Sequence, residues 1–588
     1  MSGESTIPTP ASPDVCAVAI LVDGTEIPGT FHLMSIAVTR ELNRIPAAVI
    51  QLRDGDAASA SFPVSDSDLF VPGKEIEIRL GYRATTEPVF RGIVVRHGLK
   101  VRKNANLLVV ECRDQAVKMT GAAKSRYFTE MKDSAVIEQI VDEYGLAKDV
   151  AATTVVQKEL TQYNATDWDF MLCRAEANGQ VVTVDDGKVT VAPPLAAGTP
   201  VVSIAYGATL LELDVEMDAR LQSKTVKAAS WDPAEQQRLA VEAVEPIVTE
   251  NGNISPAELA DAVGGDTLWL HHGGCLGEPE LQSWADGRLL KERLAKVRGR
   301  ARFQGFAGVA PGNIVELTGI GQRFAGEVIV AGVRHEVAAG NWRTDVQFGL
   351  DDRLFAETYN LRPLPAAGLL PAVSGLQLGV VTMLENDPDG EERIKARLPL
   401  VSDAEEGLWC RLATLDAGDG RGTFFRPEIG DEVVIGFISD DPRCPVVLGM
   451  CHSSAKPAPE PASDDNHVKG YLSREKMALI FDDEEKSVVL KTPEGNRLTL
   501  SEEDKGIVLE DQNGNTIVLG EDGITIDSAS DLTLRAQGDV KIEGTNLQIQ
   551  AQSGFKATAT SSVEVSGAST TIEGSATTVI KGGLVQIN

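Results

Sequence analysis

The chain is 588 residues long, with 43% hydrophobic, 24% charged and 5% aromatic residues, enough at roughly 100–200 residues per domain for about three to five domains with real cores. Its 55 basic and 86 acidic residues leave a formal net charge of −31 at pH 7. A surface this acidic repels phosphate backbones and anionic lipid heads, so nucleic acid and membrane surfaces are excluded as expected partners.

The start, MSGESTIPTPASPD, has neither a basic opening nor a long apolar core, so synthesis in the cytoplasm without a Sec signal is expected. Residues 15 to about 120 alternate in short runs of period two, among them Ala17–Val22, Ala47–Arg53, Glu75–Leu80 and Leu107–Cys112. Such runs between DG, PG and KN turns predict antiparallel β-structure. Asp133–Gly145 predicts a helix that Asp133 or Ser134 caps, with Val136, Ile137, Ile140, Val141 and Tyr144 on one face. A second helix is expected from Thr166 to about Gly179, with Asp169 completing a capping box, and a short third from Ser255, Pro256 and Glu258. An amphipathic helix between Glu278 and Val297 precedes the predicted strands Ala301–Phe306, Ile314–Thr318 and Val328–Val333.

The uncharged stretch Pro363–Leu384, with three prolines, has the composition of a linker rather than a membrane span. Five strand-like runs follow: Gln377–Glu385, Arg393–Leu398, Leu408–Ala413, Asp431–Phe437 and Pro445–Met450. Their size and rhythm fit a small Greek-key barrel of the OB-fold kind. A second linker, Ser453–Asn466, is rich in Ser, Pro, Ala and Asp. The seven cysteines are odd in number and scattered, which predicts reduced thiols, Cys444 and Cys451 being core thiols around the last barrel strand.

Beyond Phe481 the only aromatic is Phe555. Met477–Gly523, with PEGN, SEEDKG, DQNGN and GEDG turns, predicts a hairpin-rich stretch. After it, run starts at Ile524, Leu532, Val540, Leu547, Phe555, Val563 and Thr571 are 8, 8, 7, 8, 8 and 8 apart. Within the runs apolar residues alternate: Leu532 with Leu534, Val540 with Ile542, Leu547 with Ile549, Val563 with Val565. An octad of strand and turn cannot bury that face alone. A single-chain solenoid and a prism of several chains both satisfy the pattern; the lack of large side chains favours the narrow interior of a prism.

Taken together, VFRGIVV (Val89–Val95), VECRDQAVKM (Val110–Met119), KSRYF (Lys124–Phe128), QYNATDWDFMLCRAEANG (Gln162–Gly179), RGRARFQG (Arg298–Gly305), GVRHEVAAGNW (Gly332–Trp342), LGVVTMLENDPDGEERIKARLP (Leu378–Pro399) and RPEIGDEVVIGFISDDPRCPVVLG (Arg426–Gly449) resemble the spike proteins of contractile injection systems, the VgrG and phage baseplate V type. The resemblance covers nearly the whole chain. It implies a mainly β protein: a tail-hub-like region over 1–365 with two β-barrel subdomains and helical insertions, an OB-fold over 374–452, a linker over 453–469 and an intertwined triple-stranded β-helix needle over 470–588. It further implies a homotrimer joined to inner tube and baseplate proteins, without a cofactor, within an extracellular phage tail-like particle in preference to a type VI secretion spike or a true phage, with effector cargo among the candidate partners. Some relatives end in a His-containing, metal-binding apex. This chain has no histidine after His467 and ends TTVIKGGLVQIN, so a separate PAAR-type tip protein is expected to dock near Val579, Ile580, Leu584, Val585 and Ile587.

Catalytic and metal-binding residues are not expected. Asp387, Asp389 and Glu391, like Asp511, Asn513 and Asn515, lack the glycine and terminal glutamate of a calcium loop. His271, His272 and Cys275 lack a fourth ligand at a usual spacing, and GIGQRFAG (Gly319–Gly326) is no dinucleotide fingerprint. Trp168 is expected to pack. The basic run Arg288–Arg302 is either a cationic helix end and its following strand or a contact for acidic neighbours. The competing reading from another class, a β-helical tail enzyme acting on envelope polysaccharide, would call for an aromatic-lined sugar groove.

Overall fold

The computed structural model describes residues 6–9, 15–83, 85–103, 105–249 and 251–587. The chain forms two compact units. One holds residues up to Gln377 with Met383–Ala413 and Ile435–Val447, the other Leu378–Thr382, Thr414–Val434 and Leu448–Asn588.

The spine of the first unit is one long sheet. Its strands run in the order Leu210–Met217, Val297–Gln304, Asn341–Phe348, Gly326–Ala338, Leu33–Glu41, Ala47–Arg53, Asn106–Arg113, Thr85–Val101, Glu75–Tyr82 and Cys16–Val22. Period-two patterning explains which side chains turn inward: in Ala47–Arg53, Ala48, Ile50 and Leu52 are buried while their neighbours are not. One core gathers Ile36, Ile50, Leu52, Phe70 and Ile78. A second, on the later strands, gathers Phe303, Val315, Val330, Val346 and Phe348. The 17-residue strand Thr85–Val101 extends well beyond its apolar run, because its polar first residues are held by pairing with Glu75–Tyr82 rather than by burial.

A third core is helical. Helix Asp133–Asp142 buries Val136, Ile137, Ile140 and Val141 against Met171 and Leu172 of helix Asp167–Ala177. Thr166 caps the second helix, accepting the Asp169 N–H at 3.1 Å, and Ser255 with Glu258 forms the capping box of helix Pro256–Ala262. The first helix departs from expectation. Lys132 holds the cap position with no side-chain bond, because Asp133 is buried and accepts from Arg174 at 2.6 and 2.9 Å.

The five strands Gln377–Met383, Ile394–Arg397, Leu408–Leu412, Glu432–Phe437 and Pro445–Met450 close into a barrel filled by Val381, Ile394, Ala396, Cys410, Val433, Ile435 and Val447. Cys444 and Cys451 are exposed, as is Cys275. They flank the last strand in its turns, outside the pleat that buries Val447, so the expectation of core thiols fails there. It holds for Cys410 and Cys112, whose thiols burial pushes up to about 11 and about 12.

In the second unit, seven strands form an antiparallel meander in sequence order: Val468–Leu472, Ala478–Asp482, Ser487–Lys491, Arg497–Ser501, Gly506–Glu510, Thr516–Gly520 and Gly523–Asp527. Residues 528–587 form no strand ladder within the chain.

Candidate functional site: an uncovered apolar face

The meander's register sorts its side chains into two faces. On one, Phe481, Val488, Leu500, Ile507, Leu519 and Ile524 stand opposite one another from strand to strand. A parallel row holds Tyr471, Leu479, Leu490, Leu498, Leu509, Ile517 and Ile526. The other face carries the smaller Val489, Thr499, Val508, Val518 and Thr525 with Ile480. Soluble sheets bury their larger aliphatic face; here most of the Leu, Ile and Phe residues of the two rows are 37–71% exposed. At the start of the second row the Tyr471 ring lies 4.6 Å from that of Phe425.

The expected needle residues continue the pattern. Leu532, Leu534, Val540, Ile542, Leu547, Ile549, Val563 and Val565 are all at least 57% exposed. The chain leaves them without partners on either side, since no ladder forms among 528–587. Val579, Ile580, Leu584, Val585 and Ile587 at the end are exposed too. Sequence reading picked out these octads but not the meander rows. The signal was present: strand starts at Ala478, Ser487, Arg497, Gly506, Thr516 and Gly523 are 9, 10, 9, 10 and 7 apart, each strand with alternating apolar residues.

The turns between these strands are held by short polar side chains. Asp511 accepts the backbone N–H groups of Asn513 and Asn515 at 2.8 and 2.9 Å and their side-chain amides as well. The Asn515 amide leads in drawing the Asp511 carboxyl down to about 2. Asp387 is engaged by Arg393 at 2.5 Å, which holds its carboxyl well below the usual range. Both acidic turns are thus satisfied from within. His271 stacks on Trp269 and His272 accepts from Gly274 N–H; no group of three or more metal-ligating side chains occurs among the described residues.

The hub contains a cavity of about 1660 Å³ bordered by Arg44, Trp168, Lys291, Arg300, Phe348 and Tyr359. Trp168 is 5% exposed and belongs to the helical core, which fits the packing role. The basic run is neutralised internally. Arg298, Arg300 and Arg302 stand directly opposite Glu216, Asp214 and Glu212 and pair with them at 3.2, 3.1 and 3.0 Å. Lys291 pairs with Glu176 at 2.8 Å and Arg293 with Glu245 at 2.6 Å. These partners fit the reading of the run as a cationic helix end and its following strand. Deeper still, Asp167 has no exposed side-chain surface and receives Lys124, Arg126, Tyr144 and Gln162 at 2.7–2.8 Å. Burial pushes its carboxyl up, and these donors outweigh that, leaving it lowered.

Three family models match. Residues 12–339 match the model described as the Alg8 N-terminal domain, residues 377–452 the type VI secretion system/phage-baseplate injector OB domain, and residues 487–588 the phage baseplate V C-terminal trimerisation domain. Among curated proteins, the type VI secretion system spike protein VgrG1b of Pseudomonas aeruginosa is 27% identical over 196 residues, 30% of this chain and 25% of that protein. VgrG4b of the same organism is 32% identical over 144 residues, 22% of this chain and 17% of that protein. The matches thus span a quarter or less of these relatives' lengths. Among solved structures, the 43 kDa tail protein of a Shewanella oneidensis prophage aligns over 57% of this chain and 99% of its own, at 14% identity and a TM-score of 0.43.

Proposed function

Because the chain belongs to the Alg8 N-terminal domain family and is a VgrG-like spike protein with a phage-baseplate injector barrel, we propose that it works as a homotrimer, joining inner tube and baseplate to a puncturing tip. The observation that carries the proposal is the exposed face: two apolar rows across the meander, continued by the exposed octads, which from residue 487 onward lie in a segment that matches a trimerisation domain. Covering a Leu or Ile contributes about 1.5–3 kcal/mol when burial is complete. Three copies wound together would cover the rows and give residues 528–587 the strand partners that one chain lacks. A closed prism has no free sheet edge, so bending it breaks many backbone hydrogen bonds at once. That is the mechanical property a needle needs, and a wet Ser, Thr and Asn surface keeps it from adhering to the envelope it crosses.

In this reading the hub seats on the inner tube, a PAAR-type protein caps the end at Val579, Ile580, Leu584, Val585 and Ile587, and the particle is of the extracellular, phage-tail-like kind with effector cargo. The chain acts mechanically, without catalysis; incubation with peptidoglycan or capsular polysaccharide should release no fragments. The decisive measurement is mass in solution. Light scattering should give three times 62.7 kDa, about 188 kDa. A lone 62.7 kDa subunit whose last hundred residues are folded would overturn the proposal.

A further inference from the structure

One barrel loop reaches the needle by a route other than the peptide chain. Residues 423–431 lie between two barrel strands and are anchored there: Gly430 N–H donates to Val381 O at 2.8 Å and Val381 N–H to Asp431 O at 3.0 Å. The loop is closed on itself, Glu428 N–H donating to the Asp431 carboxylate at 2.9 Å and Asp431 N–H to Glu428 O at 3.0 Å. Three side chains from beyond the barrel meet it. Lys456, presented by a reciprocally bonded Ser453–Lys456 turn, donates to Gly430 O at 2.6 Å and to Asp431 at 2.9 Å. The Tyr471 ring, in the first meander strand, lies 4.6 Å from that of Phe425. Arg474, just past that strand, pairs with Glu428 at 2.9 Å. All of these residues fall within the second compact unit.

We propose that this loop is a clasp: Phe425, Glu428 and Asp431 grip Lys456, Tyr471 and Arg474, fixing the first needle strand against the barrel loop by a route that does not depend on the length of residues 457–466. The intervening segment, PAPEPASDDN, could reach roughly 35 Å if extended, at about 3.5 Å per residue. Each clasp contact alone is weak, since exposed ion pairs give about 0–1 kcal/mol. Their value lies in sharing one anchored loop: once one contact forms, the entropy of ordering the next has largely been met, and three contacts at separate points fix rotation as well as position. That the clasp carries thrust rests on the spike reading; its existence as a mechanical link does not.

The test uses the full-length protein and hydrogen exchange of residues 468–473. Glu428→Lys sets like charges against Arg474 and should raise exchange there several-fold. Phe425→Ala should act in the same direction, and Glu428→Lys with Arg474→Glu should restore protection. Ten Gly/Ser residues inserted after Pro461 should leave exchange unchanged. Unchanged exchange in Glu428→Lys and Phe425→Ala, no restoration in the swapped pair, or loosening by the insertion as large as by Glu428→Lys would each overturn the clasp. Mass is read on the same samples: loss of the trimer in the unsubstituted protein would count against the spike reading and leave the exchange comparison standing.

Discussion

The hub and the needle obey opposite rules of burial. In the hub, strands from distant parts of the sequence close around Ile36, Ile50 and Phe70, and again around Phe303 and Phe348, so that these large apolar side chains are buried by intrachain neighbours. In the needle segment Leu, Ile and Val alternate as regularly, yet the residues with the largest side chains are the exposed ones. The same period-two pattern therefore occurs in two settings: in cores completed by the chain itself, and on rows that the chain leaves partly exposed. The difference lies in what stands across from each strand, which local sequence does not specify.

The largest expected effect separates the two regions directly. Leu500→Glu places a charge on the uncovered face, once per copy, and should abolish the trimer or lower its melting transition by more than 10 °C, at about 2–3 kcal/mol or more per copy. Thr499→Glu, one residue away on the opposite face, should change the mass little. If both behave alike, the face assignment is wrong. Next in size, Phe303→Ala, at a fully buried hub position, should cost about 3–5 kcal/mol by cavity formation. Its loss should not depend on protein concentration, whereas that of Leu500→Glu should, because only the latter is linked to association.

Acid should also divide the molecule. His335 is buried, and burial pushes its imidazole down from 6.5 to about 3. On the adjoining strand the Thr344 hydroxyl lies at 3.1 Å, and the Arg40 charge is a second, smaller cause of the depression. A base whose folded value is depressed binds fewer protons folded than unfolded. Its contribution is therefore complete above about 6.5 and lost as pH falls from there toward 3. The needle from residue 470 onward has no histidine, and its Asp511, lowered from 3.8 to about 2, loses its contribution only below about 4. Calorimetry between pH 7 and 4 should show the hub transition falling while the needle transition stays, and His335→Gln should flatten the hub's slope.

How much of this could be read beforehand follows the same division. Caps and turns are local chemistry, so Thr166, Ser255 with Glu258, and the five barrel strands were legible to within a few residues. Asp133 was misjudged because its role depends on Arg174, 41 positions away. The charge ladder was half visible: the run around Arg300 stood out, but Asp214 across from it could be found only through strand pairing. Cys444 and Cys451 misled because apolar neighbours mark a strand and do not tell which residues lie past its end. For the uncovered face, the octads were legible as unable to bury themselves, while the meander rows were hidden by turns at less regular spacing.

The smallest effect tests the turns that bring the meander into the unpaired tail. Asn515 works in both directions: its amide N–H donates to Asp511 at 2.8 Å, and its carbonyl accepts Ala529 N–H at 2.9 Å and the Ser528 hydroxyl at 3.1 Å. Asn496 makes a similar upward link more loosely, accepting Gln512 N–H at 3.4 Å. Such links extend the pairing of neighbouring strands one step past the last ladder pairs, Arg497 with Glu510 and Thr516 with Asp527. Asn515→Ala should therefore cost only about 1 kcal/mol per copy. It should also release Asp511 from about 2 back toward 3.8, a shift that carboxylate NMR would follow. Because a depressed carboxylate stabilises above its unfolded value, the part of the deficit that comes through Asp511 should fade as pH falls from about 4 toward 2. A deficit that stays constant from pH 7 to 2 would mean that the turn acts by shape alone and that the asparagine link contributes nothing through the charge of Asp511.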